Sequence, residues 1–319
     1  FRLPKVSGFV GLRIAGEDRK GSLGGGLGDF FRSGSELLTS ASLRYAPARD
    51  HELSLTHSSS YTRPSYRDLL GYTSVASAAF LRKGNSALRT AYRRGLSLNY
   101  TYMRAAQLEL SYTDTEDPIV EAMPPMLGGG LVLRRYNLDY SRTLRALLVL
   151  PLPLVSQKKF SWLALTILAA QRQWDAGHIE TNDYSAQLNT QFVQHRHSFS
   201  LPSDWTVDLG VTYYSGVLYE LYRIQRQWWI DASVSKRMGN LRATLSARDP
   251  FNTNIARGSY NPVVNCLAFE RNWHSPRLEL TISYSWGKKS VKAQDTRARY
   301  DDLKRLTMGA SEGMNTPAQ

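Results

Sequence analysis

Few side chains in this 319-residue sequence stand at spacings that suggest chemistry. His195 and His197 are two apart, so a strand would put both imidazoles on one face, a spacing that can hold a metal ion. No third ligand is identifiable, and a polar face shared with Gln187 and Gln191 accounts for the pair better than a metal site does. Asp114, Glu116 and Asp117 cluster at a strand exit, where they could receive a cation or a substrate amine, or simply face water. Asp301 and Asp302 read as solvated. Gly128-Gly129-Gly130 precedes a strand pattern and not a helix, so it is no phosphate-cradling loop. Trp228-Trp229 suits anchoring at a membrane interface or stacking on a sugar. Cys266 is the one cysteine, which rules out an intrachain disulfide and a multi-cysteine zinc site; it reads as a stray small residue in a loop. No Gly-x-Ser-x-Gly elbow or other catalytic constellation occurs. The reading is therefore non-enzymatic, with no catalytic, cofactor-binding or metal residue and no cofactor; residue types alone do not identify a substrate-binding residue.

The elements around these residues carry more information. In Arg277 to Trp286, Leu278, Leu280, Ile282, Tyr284 and Trp286 alternate with Arg277, Glu279, Thr281, Ser283 and Ser285. That period-two pattern makes one face apolar and the other polar. Similar segments recur at about 6–16, 36–46, 50–61, 92–104, 106–115, 131–150, 159–173, 182–198, 205–217, 227–237, 241–248 and 277–286. Most exceed the roughly 5–6 residues of an ordinary strand and reach the roughly 9–11 of a tilted membrane-spanning one. Connections alternate in size: short turns such as 46–49, 104–105, 200–203 and 238–240 against long pieces at 17–35, 62–91, 116–130, 218–226 and 249–275. Outer-membrane barrels have short periplasmic turns and long extracellular loops. Reading 131–150 as one strand keeps that parity and brings the C-terminus to the periplasmic side. Gly24-Gly25-Gly26 falls in an outer loop.

Composition agrees. The longest apolar run, Ala146 to Val155, contains Pro151 and Pro153 and is too short for a membrane helix. A mean hydropathy of -0.37 suits a barrel, half of whose strand residues face a polar lumen. Tyrosine (18) and tryptophan (7) are the residues of aromatic girdles. The net charge of +13 is spread in small groups such as Arg93-Arg94 and Arg134-Arg135. That scatter suits outer-membrane lipid and lipopolysaccharide better than nucleic acid, which favours one basic stripe. Residues 1–287 read as strands and loops, and 288–319 as a polar periplasmic tail with a short helix near Tyr300 to Met308. The chain opens Phe1-Arg2-Leu3-Pro4 without a signal-peptide pattern, which suggests that more sequence lies upstream.

Five segments resemble motifs of the Bacteroidetes-type outer-membrane β-barrel family, the barrel part of TonB-dependent receptor-like proteins. They are Tyr61-Thr62-Arg63-Pro64-Ser65-Tyr66-Arg67-Asp68-Leu69, Asp117-Pro118-Ile119, Leu201-Pro202-Ser203-Asp204-Trp205, Asp249-Pro250-Phe251-Asn252-Thr253 and Tyr284-Ser285-Trp286-Gly287-Lys288-Lys289. They occur in the family's order. Lys83 to Thr90 departs from it by lacking two prolines and a glutamate, and Trp286 replaces a closing phenylalanine.

The fold class is thus all-β, a transmembrane antiparallel β-barrel of about 12 strands. The resemblance implies the C-terminal half of a barrel of about 22 strands, the plugged-lumen class. It also implies solute uptake across the outer membrane, driven by the TonB energising complex and assisted by a surface lipoprotein. A passive or structural porin-like barrel without a plug is the alternative.

Overall fold

A computed structural model describes residues 4–21, 30–71, 73–77, 80–123, 131–260, 267–272 and 276–286. The readings placed on Gly24 to Gly26, Gly128 to Gly130, Cys266 and residues 288–319 lie outside these.

Along the chain, Val6–Gly21 (β1) and Phe30–Ala48 (β2) form a hairpin, followed by His51–Thr62 (β3). A one-turn helix, Tyr66–Leu69 (α1), leads to Thr73–Ser77 (β4) and Phe80–Lys83 (β5). Ala91–Tyr102 (β6) and Ala106–Glu116 (β7) precede the short Ile119–Ala122 (β8) and Leu131–Asn137 (β9). Three long strands follow, Tyr140–Ser156 (β10), Ser161–Ile179 (β11) and Asn182–Leu201 (β12). Then come Trp205–Tyr214 (β13), Val217–Tyr219 (β14), Tyr222–Ile224 (β15), Gln227–Met238 (β16) and Leu241–Arg248 (β17). Ile255–Tyr260 (β18), Ala268–Asn272 (β19) and Arg277–Tyr284 (β20) complete the described chain.

Twelve of these strands make one antiparallel sheet in the order β1-β2-β3-β6-β7-β10-β11-β12-β13-β16-β17-β20. Every expected alternating segment contributes to it. The cross-strand register puts the apolar set of each strand on one face. Val207, Leu209, Val211 and Tyr213 lie opposite Val234, Ala232, Ile230 and Trp228. The other face carries Asp208 opposite Ser233 and Gly210 opposite Asp231. Because side chains alternate strictly, a slip of one residue would turn every apolar row inward. The register is therefore fixed by the pattern.

One end of the sheet has only short turns. Between β6 and β7, Met103 and Arg104 take left-handed φ of 50° and 56° within the three-residue loop 103–105, and the Ala105 N–H donates to the Tyr102 carbonyl at 3.0 Å. The opposite end carries two further four-stranded sheets, β4-β5-β9-β8 and β14-β15-β18-β19. They pack together over a core of Val120, Ala122, Met123, Tyr136, Leu138, Leu221 and Tyr260, joined by Ile179 and Tyr184 from the β11–β12 hairpin. The loops that looked irregular in the sequence thus hold a folded cap.

The expected single strand over 131–150 is two. β9 belongs to the cap and β10 to the wall. Between them Leu138 is buried in the cap core, while the Asp139 N–H donates to the Ala176 carbonyl at 2.9 Å. Gly177 lies beneath this jog: a Cβ there would stand 2.5 Å from the Asp139 nitrogen. The apolar residues keep their even numbering through the break (Tyr136, Leu138, Tyr140, Leu144), so alternation in the sequence does not register it, although Tyr136 and Leu138 enter the cap core and Leu144 is exposed on the wall. Parity survives because only β10 crosses the wall.

Candidate solute-binding wall of the lumen

The polar face of the wall is a registered lattice. Across β3, β6, β7, β10 and β11, one row runs Thr56, Ser97, Ser111, Arg145, Gln171. The next runs Ser58, Gly95, Thr113, Thr143, Gln173, and the third Ser60, Arg93, Thr115, Ser141, Asp175. Each residue reaches its row because period-two alternation aims it inward and antiparallel pairing aligns it with its neighbours. All of these residues except Asp175 line a cavity of about 560 Å³. Within it, Gln171 Nε2 donates to Gln173 Oε1 (3.3 Å), and Gln173 Nε2 donates to Asp175 Oδ2 (2.8 Å). The cap reaches the same cavity through Val217 to Glu220. A second cavity of about 620 Å³ is lined by Arg196, Asp208, Asp231, Arg248 and Arg277 among others.

Below the lattice the inner face turns apolar. Val149, Leu165, Ile167, Ala169 and Phe192 form a buried cluster with Leu147 and Tyr214 against it. Three rings step across β12, β13 and β16: Phe192 to Tyr214 at 4.7 Å between centroids, then Tyr214 to Trp229 at 5.8 Å. Trp228 and Trp229 therefore part company. Trp228 is exposed on the outer face beside Tyr213, and Trp229 belongs to the inner ladder.

The two histidines lie on the outer, apolar face. His195 is opposite Val211 and His197 opposite Leu209. Gln187 and Gln191 share that face by parity, so the shared face is real but looks outward. A chain of hydrogen bonds satisfies the imidazoles. Trp162 Nε1–H donates to His197 Nδ1 at 3.0 Å, the two Nε2 atoms are 2.9 Å apart, and His195 Nδ1 meets Thr166 Oγ1 at 2.9 Å. An indole only donates, so His197 carries its proton on Nε2, gives that bond to His195, and leaves His195 to donate from Nδ1. Among the described residues no group of three or more metal-ligating side chains gathers.

The acidic cluster is paired with arginine. Asp114 meets Arg142 at 3.0 Å, Glu116 meets Arg94 at 3.2 Å and Asp117 meets Arg89 at 2.6 Å. The motif residues serve the connections. Ser65 Oγ caps α1 by accepting from Asp68 N at 3.2 Å, and Leu69 is buried with Leu88. Asp249 accepts from Thr253 N (2.8 Å), Thr253 Oγ1 (2.9 Å) and Asn254 N (3.0 Å), which fixes the turn leaving β17. At the foot of β13, the Lys236 ammonium sits 5.0 Å from the Trp205 ring centre.

In the cap, Glu121 N donates to Glu220 Oε2 at 3.0 Å, and Tyr260 Oη donates to the Glu121 carbonyl at 3.0 Å. Burial pushes the Glu220 carboxyl above the usual range, although the Glu121 amide and Arg135 oppose the shift. Burial also pushes the Tyr136 and Tyr260 phenols up. Sequence reasoning missed the inner lattice because Arg145 sits in the apolar run Leu144 to Leu150. The one signal was the alternation itself, which makes a polar residue inside such a run an inward-facing one.

The sequence model described as "Outer membrane protein beta-barrel family" matches residues 1–284. No curated protein matches the sequence. Among solved structures, the ferric enterobactin receptor PfeA in complex with BCV-L6 aligns at TM-score 0.54 and 13% identity, over 88% of this chain and 43% of that one. A Q482A mutant of the Pseudomonas aeruginosa receptor, in complex with enterobactin, aligns at 0.52 and 14% over the same shares. The P. aeruginosa G324V mutant aligns at 0.51 and 13%, over 87% and 44%. This chain thus spans less than half the length of the receptors whose fold it shares.

Proposed function

We propose that this chain, which belongs to the outer membrane protein β-barrel family and to the bacterial outer membrane, is part of the barrel of a TonB-dependent receptor-like transporter that takes up a solute. The observation that carries the reading is the inner lattice. An outer-membrane sheet buries its apolar rows in lipid for membrane stability alone. A cavity of about 560 Å³ with registered hydroxyl, amide and guanidinium groups on its other face offers hydrogen bonds to a polar solute in transit. The fold shared with TonB-dependent receptors supports the same reading. In it, β1 and β20 pair with further strands to complete a barrel of about 22, and a plug fills the lumen. The TonB complex works from the periplasmic side, and a surface lipoprotein is a candidate partner at the cap. No enzymatic step is part of this function, because the inner wall groups suit binding and not covalent chemistry.

Planar-bilayer conductance of the receptor at its natural length tests the reading. A plugged receptor gives no steady ion conductance. A large, constant conductance without any energising partner would overturn transport of this kind and identify a passive barrel.

A further inference from the structure

Arg145 stands in the first row of the lattice, opposite Ser111 on β7 and Gln171 on β11. Its Nε and Nη2 atoms are both buried and, among the described residues, have no hydrogen-bond partner. These two atoms form one lateral edge of the guanidinium, and their parallel N–H bonds match the two oxygens of a single carboxylate. Other arginines differ. Arg134 and Arg135 each leave one nitrogen unpartnered, and each still meets an oxygen, Asn85 Oδ1 at 3.4 Å and Asp68 Oδ1 at 3.5 Å.

A buried guanidinium edge without an acceptor is costly, and a bound oxyanion removes that cost. Three carboxylates stand in or beside the cavity, and none is hydrogen-bonded to Arg145: Glu109 accepts from Ser111 Oγ at 3.2 Å, Glu220 accepts from Glu121 N at 3.0 Å, and Asp175, two rows away, accepts from Gln173 Nε2 at 2.8 Å through Oδ2 while its Oδ1 has no partner among the described residues. The neighbouring rows offer Thr113, Ser141 and Thr143 hydroxyls. We infer that Arg145 receives the carboxylate of a hydroxylated solute of the sugar-acid class, whose hydroxyls the adjoining rows bind. The inference rests on the reading of the lumen as a solute path. A carboxylate side chain from another part of the receptor presents the same two oxygens and is the second source of this chemistry.

The test uses the receptor at natural length in detergent, with D-glucuronate as probe and D-glucose as the neutral control, read by saturation-transfer NMR titration. Glucuronate binds the wild type and glucose binds at least about tenfold more weakly. Arg145→Gln weakens glucuronate by about tenfold or more, and Arg145→Lys, which keeps the charge without the fork, recovers only part. If the Gln variant does not assemble, the Lys variant alone carries the comparison, with glucose affinity unchanged. Equal glucuronate affinity in the wild type and the variants overturns the inference. If glucuronate does not bind the wild type, while Arg145→Gln lowers its thermal unfolding midpoint and Arg145→Lys restores part, the acceptor is a carboxylate of the receptor itself and the solute assignment falls. Absence of both effects also overturns it. Binding is read without transport, so a failed conductance test and a failed binding test are separate outcomes.

Discussion

His195 and His197 are polar side chains on a lipid-facing surface, yet they bring their own partners. Trp162, the two imidazoles and Thr166 pass donors in one direction, so no imidazole nitrogen needs water. His197→Leu alone strands the Trp162 donor and the His195 acceptor, which should cost about 1–3 kcal/mol. Replacing three as His195→Val, His197→Leu and Thr166→Val leaves only the Trp162 N–H stranded and should recover part of that loss. Reversible unfolding from lipid vesicles measures both; a triple variant less stable than His197→Leu would refute the chain. The sequence showed that the two imidazoles share a face. It did not show which face, because Gln187 and Gln191 on the same side suggested a wet one. The lower half of that strand face is set by its neighbours, Val211 and Leu209, which only cross-strand register supplies.

At the scale of elements, long strands were legible because their alternation persists for many residues. The cap strands were not. β14 and β15 are three residues each, too short for a period to emerge, and they are held by packing in the cap core. The 131–150 stretch failed for the opposite reason: its alternation continues through a break imposed by Leu138 and Gly177. The cap also carries a titratable joint. Glu220 is partly buried beside Glu121, Arg135, Tyr219 and Tyr222, and its carboxyl is raised above the usual range by that desolvation. A raised folded value means that stability is intact below the ordinary carboxylate pKa and falls as pH rises from there through the raised one. Amide exchange of Val217 to Ile224 should therefore show more opening near about pH 8 than near about pH 4 after correction for intrinsic rates. Glu220→Gln should abolish that difference, and a difference that persists in the Gln variant would exclude Glu220 as its source.

At the scale of the whole molecule, β1 and β20 are the two edges of the twelve-stranded sheet, each hydrogen-bonded on one side only among the described residues. Lipid cannot satisfy a free backbone edge, so a spanning sheet must close. Leu278, Leu280 and Ile282 on β20 are 64–73% exposed, while Leu209 and Val211 on an interior strand are 44% and 38% exposed. For this chain by itself in detergent, the outward amides of β1 and β20 should exchange far faster than those of β11 and β12. Equal protection at the edges would mean that the twelve strands close on each other. The sequence by itself determined the strand set, the two faces and the parity of turns and loops, because period-two alternation is written locally in residue types. Only the tertiary structure decided that the outer loops fold into one cap, that the histidines face outward, and that Arg145 joins a lattice with an unpartnered fork. Those facts depend on which strands lie side by side and in what register, and pairing of residues distant in sequence leaves no local trace.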